Sequence, residues 1–440
     1  MVWRVELLLK HGAKTNIRNK SGDTPLKVAK LYKDECIVEL LREHGSVRHR
    51  LRGAISSYKS TTLSLKHLFG MRTSQTTTIR RESAMPTPRQ EHFYYMVGQG
   101  ELEYIKRSLD ADATLINSRG RGGAPSLNAA AQKGDEAMVA LLLSNKADIN
   151  ATDDSDITAL EEAAGAGHRT IVELLLNIKN DNKRIWSALN RAAYCGRTDV
   201  LELLLSKYTE VNNTEYRGRD SPLHAAAAGG RYDVARLLIA KKADVRAENS
   251  ARVTPLHKAA ANGHRSVAEL LLASGAKVNA GDGAGDTPLH RAVENEKNEM
   301  VRFLLESKAN INAKNAKGFT PLHLSSSPSG HRADGRSTEY HHVELLRLLL
   351  ANGANVNAQS KQGDTPLHFA AYHLNVDLVE ELLKGGANPQ VRNSSGRVAR
   401  PFAPNSVLGY FQRRQYERVV QLLDPESAYR VHALGKMPRA

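Results

Sequence analysis

One four-residue pattern recurs along the chain at a nearly constant spacing, and it constrains the fold more than any other feature. Thr-Pro-Leu-His occurs at 254–257, 287–290 and 320–323, so that successive leucines lie 33 residues apart. Ser-Pro-Leu-His at 221–224 lies another 33 residues earlier, and Thr-Pro-Leu-His at 365–368 follows 45 residues later. Such a period indicates a stack of equivalent helical or strand units rather than one globular core.

Each copy of the pattern has residue types that favour the start of a helix. The Thr or Ser hydroxyl can accept a hydrogen bond from a free backbone N–H, and the Pro that follows has no N–H to lose. Alanines, a Gly, a second helix of the form Ile/Val-x-x-Leu-Leu-Leu and an Ala-x-Val/Ile-Asn segment come next, as in residues 259–279. The alanines let neighbouring repeats approach closely, and the leucines form an apolar stripe between layers.

The motif and its period resemble those of the ankyrin-repeat family, and the resemblance covers most of residues 1–46 and 91–424. It implies an all-α fold, an ankyrin-repeat α-solenoid built of helix–turn–helix units of about 33 residues with β-hairpin fingers along one edge. It also implies that the motif histidines are structural residues that form hydrogen bonds near the hairpins.

The repeats divide the chain into four parts. Residues 1–46 form a short ankyrin block, with an incomplete first repeat and one further repeat, and residues 47–90 form a basic, Ser/Thr-rich linker that we expect to be disordered. Residues 91–424 form the main array of about nine to ten repeats, with an insertion at 325–342 that we place in a loop. Residues 425–440 form a basic tail. The first repeat lacks a covering layer, so either the N-terminus is incomplete or this block packs on something else.

The residue that ends the second helix divides the repeats into two kinds. A left-handed residue usually stands there, and a residue other than Gly in that conformation costs about 1–2 kcal/mol. We therefore predict that repeats with Lys at this position are locally softer than those with Gly. The residues compared are Gly275, Gly353 and Gly386 with Lys146, Lys242 and Lys308.

The net charge of +15 lies mostly outside the repeats. Residues 47–90 hold nine Lys and Arg against one acidic residue, and residues 391–440 hold nine against three, so the rest of the chain is close to neutral. The basic charge alone is therefore not evidence for a nucleic-acid-binding domain.

Cysteine content and hydropathy exclude several other classes of protein. Cys36 and Cys195 are too few for a disulfide framework or a four-ligand zinc site. No run of about 18 apolar residues predicts a membrane span, and the first residues do not resemble a signal peptide. We expect an intracellular protein that is cytoplasmic, nuclear or both.

No group of residues predicts catalysis, a cofactor or a metal site. The motif histidines occur once per repeat and so do not cluster as metal ligands do. His331, His341 and His342 in the insertion are better metal candidates, although a solvated polar loop is the alternative. The Gly-rich segment 281–286 lacks the strand before it and the Lys-Ser/Thr after it that a phosphate loop needs.

The family resemblance implies that a partner binds in the concave groove formed by the fingers and the first helices. Three positions of each repeat line it: the residue before the capping Thr or Ser, the residue after the motif His, and the end of the first helix. Scarce aromatic residues fall on these positions, which favours an interface, and we single out Trp186 as the strongest anchor. Alternatively, Phe319 and Phe369 pack only against adjacent fingers. The predicted partner-binding residues are Trp186, Arg191, Tyr194, Lys258, Asn262, Asp286, Arg291, Glu294, Asn295, Phe319, Asp364, Phe369, Tyr372 and His373.

The basic linker has two interpretations. Ser83 follows Arg80-Arg81-Glu82 and Thr87 precedes Pro88, so both are candidate phosphosites for basophilic and proline-directed kinases. The arginines of the linker alternatively indicate nuclear import, whereas direct nucleic-acid binding is disfavoured because few aromatic residues lie among them.

The residues together predict a non-catalytic scaffold or adaptor that binds a partner protein through the concave groove. We expect no small-molecule substrate and no membrane contact. A nuclear transcription coregulator that binds a transcription factor is the alternative. A substrate receptor of a ubiquitin ligase is a third class, and residues 425–440 contain no recruiting motif for it.

Overall fold

The computed structural model describes the chain in six segments, residues 87–178, 182–207, 211–212, 220–326, 339–401 and 410–424. The chain divides into two units, 1–92 and 93–440, and the repeats described below belong to the second from Phe93 onward. The predictions for residues 1–46, for 47–86 with Ser83, and for 425–440 lie outside the described residues.

The helices come in pairs, and each pair forms one repeat. In chain order the pairs are α1 (Pro88–Gln99) with α2 (Leu102–Ala111), α3 (Ser126–Lys133) with α4 (Glu136–Ser144), α5 (Ala159–Ala166) with α6 (Arg169–Leu176), α7 (Asn182–Cys195) with α8 (Thr198–Lys207), α9 (Pro222–Gly229) with α10 (Tyr232–Ala240), α11 (Pro255–Asn262) with α12 (Arg265–Ala273), α13 (Pro288–Glu294) with α14 (Asn298–Glu306), α15 (Pro321–Ser325) with α16 (Glu339–Ala351), and α17 (Pro366–Tyr372) with α18 (Val376–Lys384). A last helix, α19 (Tyr410–Leu423), packs on α18. The expected all-α solenoid is confirmed.

The first helices form the inner layer of the stack. From α3 to α15, neighbouring first helices contact one another more extensively than neighbouring second helices do, so this part of the stack curves toward the first-helix side. Alanines make this close spacing possible, because Ala163, Ala164, Ala192 and Ala193 are completely buried between adjacent repeats. The first helices therefore line the concave side.

The predicted fingers are present as tight turns rather than strands. In the finger of the α15 repeat, Asn315 N donates to Phe319 O at 3.0 Å, and Gly318 N donates to Asn315 O at 2.8 Å. Within the described residues the only β-bridge joins Arg119 to Pro125. The few residues between the turn and the capping Thr are too short for a paired strand.

Backbone hydrogen bonds join each finger to the next. Ala316 N donates to Ala284 O at 2.8 Å, and Lys361 N donates to Lys317 O at 3.0 Å. This close approach explains Gly318, whose φ is +76° and whose added Cβ would lie 2.6 Å from Lys361 N. The turn therefore needs Gly for its conformation and for the space that the next finger occupies.

Three helix starts differ from the prediction, the first being that of α1, which begins at Pro88 inside the predicted linker 47–90. Helix α7 begins at Asn182, so Trp186 and Ser187 lie inside it instead of before and at its first residue. Ser187 is followed by Ala instead of the Pro that favours a start at this point, and the helix extends further toward the N-terminus. Helix α16 begins at Glu339, so the end of the predicted 325–342 loop is helical, and residues 327–338 lie outside the described part.

The three lysines have the left-handed conformation that their position predicts. Their φ angles are +64° at Lys146, +65° at Lys242 and +65° at Lys308. Glu296 and Leu374 likewise have φ of +55° and +58° at the ends of first helices, where other repeats have Gly. The local softness of these repeats stays a prediction.

We predict that Lys242→Gly raises the free energy of unfolding by about 1 kcal/mol, because Gly adopts a positive φ without steric cost. Lys241→Gly is the matched control, since Lys241 has an ordinary φ of −82° at the end of α10. It should be neutral or destabilising. Urea unfolding measures both variants, and equal effects of the two substitutions would contradict the strain argument.

A second pair of substitutions separates finger contact from backbone conformation. Gly318 and Gly396 have similar φ angles of +76° and +72°, but an added Cβ at Gly396 meets nothing within 4 Å. Gly396→Ala should cost about 1 kcal/mol, and Gly318→Ala at least about twice that, because only the latter pushes two fingers apart. Thermal or urea unfolding that gives the same loss for both would show that finger contact is unimportant.

Candidate partner-binding groove

The motif histidine joins two repeats. The backbone N–H of Thr254 donates to Nδ1 of His257 at 3.1 Å, while Nε2 of His257 donates to the carbonyl of Asp286 in the next finger at 2.9 Å. Since Nδ1 must accept, the ring is neutral. The four other motif histidines make the same link over 2.8–3.1 Å, from His224 to Val253, His290 to Phe319, His323 to Asp364, and His368 to Arg397.

Asparagine replaces histidine in two repeats and keeps the link. Nδ2 of Asn128 donates to Ile157 O at 2.8 Å, and Nδ2 of Asn190 donates to Asp220 O at 3.0 Å. Glu161 has the same place in α5, where it accepts from Thr158 N at 2.9 Å but has no proton to donate forward. Burial raises the pKa of Glu161. The histidines are thus structural, as the resemblance implied.

The residue before the capping Thr has a structural role when it is Asp. The side-chain amides of Asn249, Asn315 and Asn393 each donate at 2.7 Å to the aspartate of the preceding finger, which is Asp220, Asp286 and Asp364 respectively. Where that residue is Val253 or Phe319, the next finger has Asp282 or Ser360 instead of Asn. Asp286 is only 9% exposed, so its prediction as a partner contact is wrong. Asp364 is half-buried and one of its oxygens is already occupied.

Trp186 is not the anchor that the sequence predicted. Its side chain is 3% exposed and belongs to the hydrophobic core. Because α7 begins before it, Trp186 lies on a helix face that packs inward and not on the rim before a helix start. Removing this ring would open a cavity in the core rather than alter a binding surface.

The predicted charged residues of the groove are held by neighbours. Nη2 of Arg191 lies 3.0 Å from both carboxylate oxygens of Glu162, and Nζ of Lys258 lies 2.8 Å from Asp220 Oδ2. Arg291 pairs with Asp282 and, at 2.8 Å, with Glu294. Burial alone would raise the pKa of Asp282, but the Arg291 guanidinium keeps that pKa low. These charges are therefore fixed in position before any partner binds.

Predicted residues at the ends of the first helices are the most accessible. Tyr194 is 53% exposed and Tyr372 is 51% exposed, and both lie at the same position of their repeats. The remaining members of this group are also exposed: Asn262, Glu294, Asn295 and His373.

The phenylalanines of the groove pack on each other across adjacent repeats. The rings of Phe319 and Phe369 meet edge-to-face, with centroids 5.1 Å apart, and the His323 ring stacks on Phe319 at 5.7 Å. Both phenylalanines are only half-buried. The alternative of packing against a neighbouring finger is thus observed, and part of each ring stays accessible in the groove.

An open depression of about 630 Å³ lies at the C-terminal end of the groove. Its lining includes Phe369, Tyr372 and His373 from α17 and the turn after it, together with Arg392, Arg397 and Arg400 from the following segment. Burial lowers the pKa of His373, so its ring is neutral at pH 7. Sequence reasoning missed the three arginines, because this last finger lacks the Thr-Pro-Leu-His motif that marks groove positions.

The structure places no candidate metal site among the residues that it describes. No group of three or more His, Cys, Asp or Glu side chains in them could hold a metal ion. Nε2 of the buried His342 lies 3.3 Å from Glu296 Oε1, so this residue has a protein partner, and His331 lies outside the described part. Cys195 is a half-buried free thiol at the end of α7.

Comparison with known families agrees with this geometry. Models of ankyrin repeats match residues 127–215, 211–282 and 280–333, and a second ankyrin-repeat model, described as having many copies, matches residues 336–397. These matches cover more than half of the sequence. The chain belongs to the ankyrin-repeat family.

Ankyrin repeats are in general protein–protein interaction modules and are typically non-catalytic. No curated protein sequence matches the chain. No described helix of this ankyrin-repeat protein is long and apolar enough to cross a membrane.

The histidine links predict that the array loses stability in acid. Burial lowers the pKa of His323 to about 4, from an ordinary value of 6.5. Its neutral ring therefore stabilises the fold fully above pH 6.5, and this contribution, about 3 kcal/mol, is lost as the pH falls from 6.5 to 4. His323→Asn keeps a forward donor, as Asn128 does, without a titrating ring.

Between pH 7 and pH 4.5, the free energy of unfolding of the variant should therefore fall by about 2–3 kcal/mol less than that of the wild type. Urea unfolding at the two pH values measures both proteins. The other histidines titrate in both proteins and cancel in the difference. An identical loss of stability in the two proteins would show that the link does not depend on the neutral ring.

Proposed function

We propose that this ankyrin-repeat protein is a non-catalytic scaffold that binds a partner protein in the groove between its fingers and first helices. The observation that supports the proposal best is the exposure of Tyr194 and Tyr372. Half of each ring is accessible at the inner layer of the stack, where a purely structural repeat needs only small residues. Exposed tyrosines are favoured interface anchors because they bury a large area at a small entropic cost.

The surroundings of the tyrosines favour a preformed site. Arg191 lies in the same helix as Tyr194 and is held by Glu162 in the preceding repeat. The Phe319–Phe369 contact likewise fixes the rings next to Tyr372. A partner would meet side chains that are already ordered, so that binding loses little conformational entropy on this side of the interface.

The alternative function is a nuclear coregulator that binds a transcription factor through the same groove. The basic composition of residues 47–90 supports it. The test is to neutralise the arginines of this linker and to measure nuclear accumulation; the residues are Arg48, Arg50, Arg52, Arg80 and Arg81. Loss of accumulation would support the coregulator. Retained accumulation would leave the general scaffold function as the better proposal.

Phosphorylation of Thr87 would act on a helix start. The backbone N–H of Thr87 donates to Gln90 Oε1 at 2.9 Å, and its hydroxyl accepts from Gln90 N at 3.3 Å, so Thr87 caps α1. A phosphate there would add negative charge next to the helix N-terminus. We therefore include regulation at Thr87, and at Ser83 in the linker, in the proposed function.

The groove is tested by affinity capture from native extract with a Tyr194→Ala/Tyr372→Ala variant. If the tyrosines anchor a partner, capture should weaken at least about tenfold. Tyr232→Ala is the matched control, because Tyr232 is 43% exposed but lies in the second helix α10. Undiminished capture by the double variant, or equal loss with Tyr232→Ala, would contradict binding in the groove. Circular dichroism first checks that all variants are folded.

A further inference from the structure

From residue 152 to the C-terminal end, the charge of the fingers changes from acidic to basic. The finger at 152–158 holds three aspartates and no basic residue, and the finger at 281–287 holds two aspartates and no basic residue. The finger at 248–254 is balanced, since Glu248 pairs with Arg252 at 3.1 Å. The fingers at 314–320, 359–365 and 392–401 together hold six basic residues and one acidic residue. Those six are Lys314, Lys317, Lys361, Arg392, Arg397 and Arg400.

The positive charge at the C-terminal end is not neutralised by neighbours. Arg392, Arg397 and Arg400 are exposed, and within the part of the chain that the structure describes none of them forms a salt bridge. The side-chain hydrogen bond of Arg392 goes to a backbone carbonyl, that of Gly396, at 2.7 Å. The single carboxylate of these fingers, Asp364, accepts a hydrogen bond from Asn393. This contrasts with Arg291 in the middle of the groove, which carboxylates surround.

The basic residues adjoin an apolar surface of suitable size. The lining of the depression of about 630 Å³ includes Phe369, Tyr372 and the three arginines. A volume in this range accommodates one or a few side chains of a ligand. Arginines that frame an aromatic surface combine charge-assisted hydrogen bonds with apolar contact.

We propose that the C-terminal end of the groove, formed by the fingers at 314–320, 359–365 and 392–401, binds an acidic peptide segment of a partner protein. An aromatic or aliphatic side chain of that segment occupies the depression against Phe369 and Tyr372. Flanking aspartates or glutamates pair with Arg392, Arg397 and Arg400. This inference rests on the proposed function and adds the chemistry of the partner.

The distribution of acidic residues favours a peptide over a nucleic acid. A single strand that followed the groove from the basic end would reach the α13 repeat, where Asp282, Asp286 and Glu294 outnumber Arg291 and the net negative charge would repel phosphates. A short acidic segment needs only the last three fingers and so avoids the carboxylates of the α13 repeat.

The test is a fluorescence anisotropy titration of the full chain with a labelled glutamate-rich peptide that has one central Phe. The same peptide with Gln in place of Glu is the ligand control. The protein variant is Arg392→Gln/Arg397→Gln/Arg400→Gln. Its matched control is Arg236→Gln/Arg302→Gln/Arg347→Gln, which removes the same charge from exposed residues of second helices.

We expect the acidic peptide to bind the wild type with an affinity that falls as salt is added. The Arg392→Gln/Arg397→Gln/Arg400→Gln protein, the groove triple variant, should bind this peptide at least about tenfold more weakly. The control triple variant should stay within about twofold of the wild type. Tyr372→Ala should weaken binding of the Phe-containing peptide more than that of a peptide with Ala in its place. Equal binding of the Gln peptide, or unchanged affinity in the groove triple variant, would overturn the proposal.

Two further outcomes would also overturn it by assigning the basic end to another ligand. Displacement of the acidic peptide by a single-stranded oligonucleotide at similar concentration would indicate a nucleic-acid site. Sedimentation that shows a dimer of the wild type and a monomer of the groove triple variant would indicate a second copy of this chain, whose acidic fingers would be the ligand.

The inference and the proposed function fail in different ways. If Tyr194→Ala/Tyr372→Ala abolishes capture of a partner but the acidic peptide does not bind, the groove is functional and only the assigned chemistry is wrong. If the acidic peptide binds through the arginines but capture is insensitive to both tyrosines, the basic end acts alone and the proposal of a groove-wide interface is wrong.

Discussion

The hydrogen bond from the motif side chain to the backbone carbonyl of the next finger is the contact on which the rest of the structure depends. A repeat of this size cannot bury its own apolar faces, so its position relative to the next repeat has to be fixed by specific contacts as well as by packing. The His257 ring does this with two nitrogens, one for its own helix start and one for the next repeat. Asn128 achieves the forward bond with an amide. Each link sets the spacing of two fingers and thereby the floor of the groove.

This arrangement separates residues that build the stack from residues that are available to a partner. The capping Thr, the Pro, the Leu and the His are buried in every complete copy of the motif. The aspartate before the motif joins them when the next finger supplies an Asn, as for Asp286 and Asn315. What remains for recognition is the end of each first helix and the outer part of the fingers. Tyr194 and Tyr372 are accessible for this reason, and so are the arginines after residue 391.

The fold could be predicted from sequence because its determinants are local and repeated. Capping residues, the Pro at the first helical position and the left-handed lysines act within one repeat, and the period reveals them. The site was predicted only in part. The repeat period placed a helix start directly after Trp186, but this repeat lacks the Pro that fixes the start. The helix begins a few residues earlier, so the prediction placed a residue of the core on the surface. The arginines at 392–400 follow a degenerate repeat, where position no longer indicates which side chains share a depression.

We propose that a partner occupies the first-helix side of the stack and that its contacts extend to the basic end. Hydrogen exchange of the complex with a captured partner, compared with the free protein, tests this most directly. We expect increased protection of the backbone at 314–320, 359–365 and 392–401 and at the ends of α7 and α17, with little change in α10, α12 and α14. Protection confined to those second helices, with unchanged fingers, would contradict it.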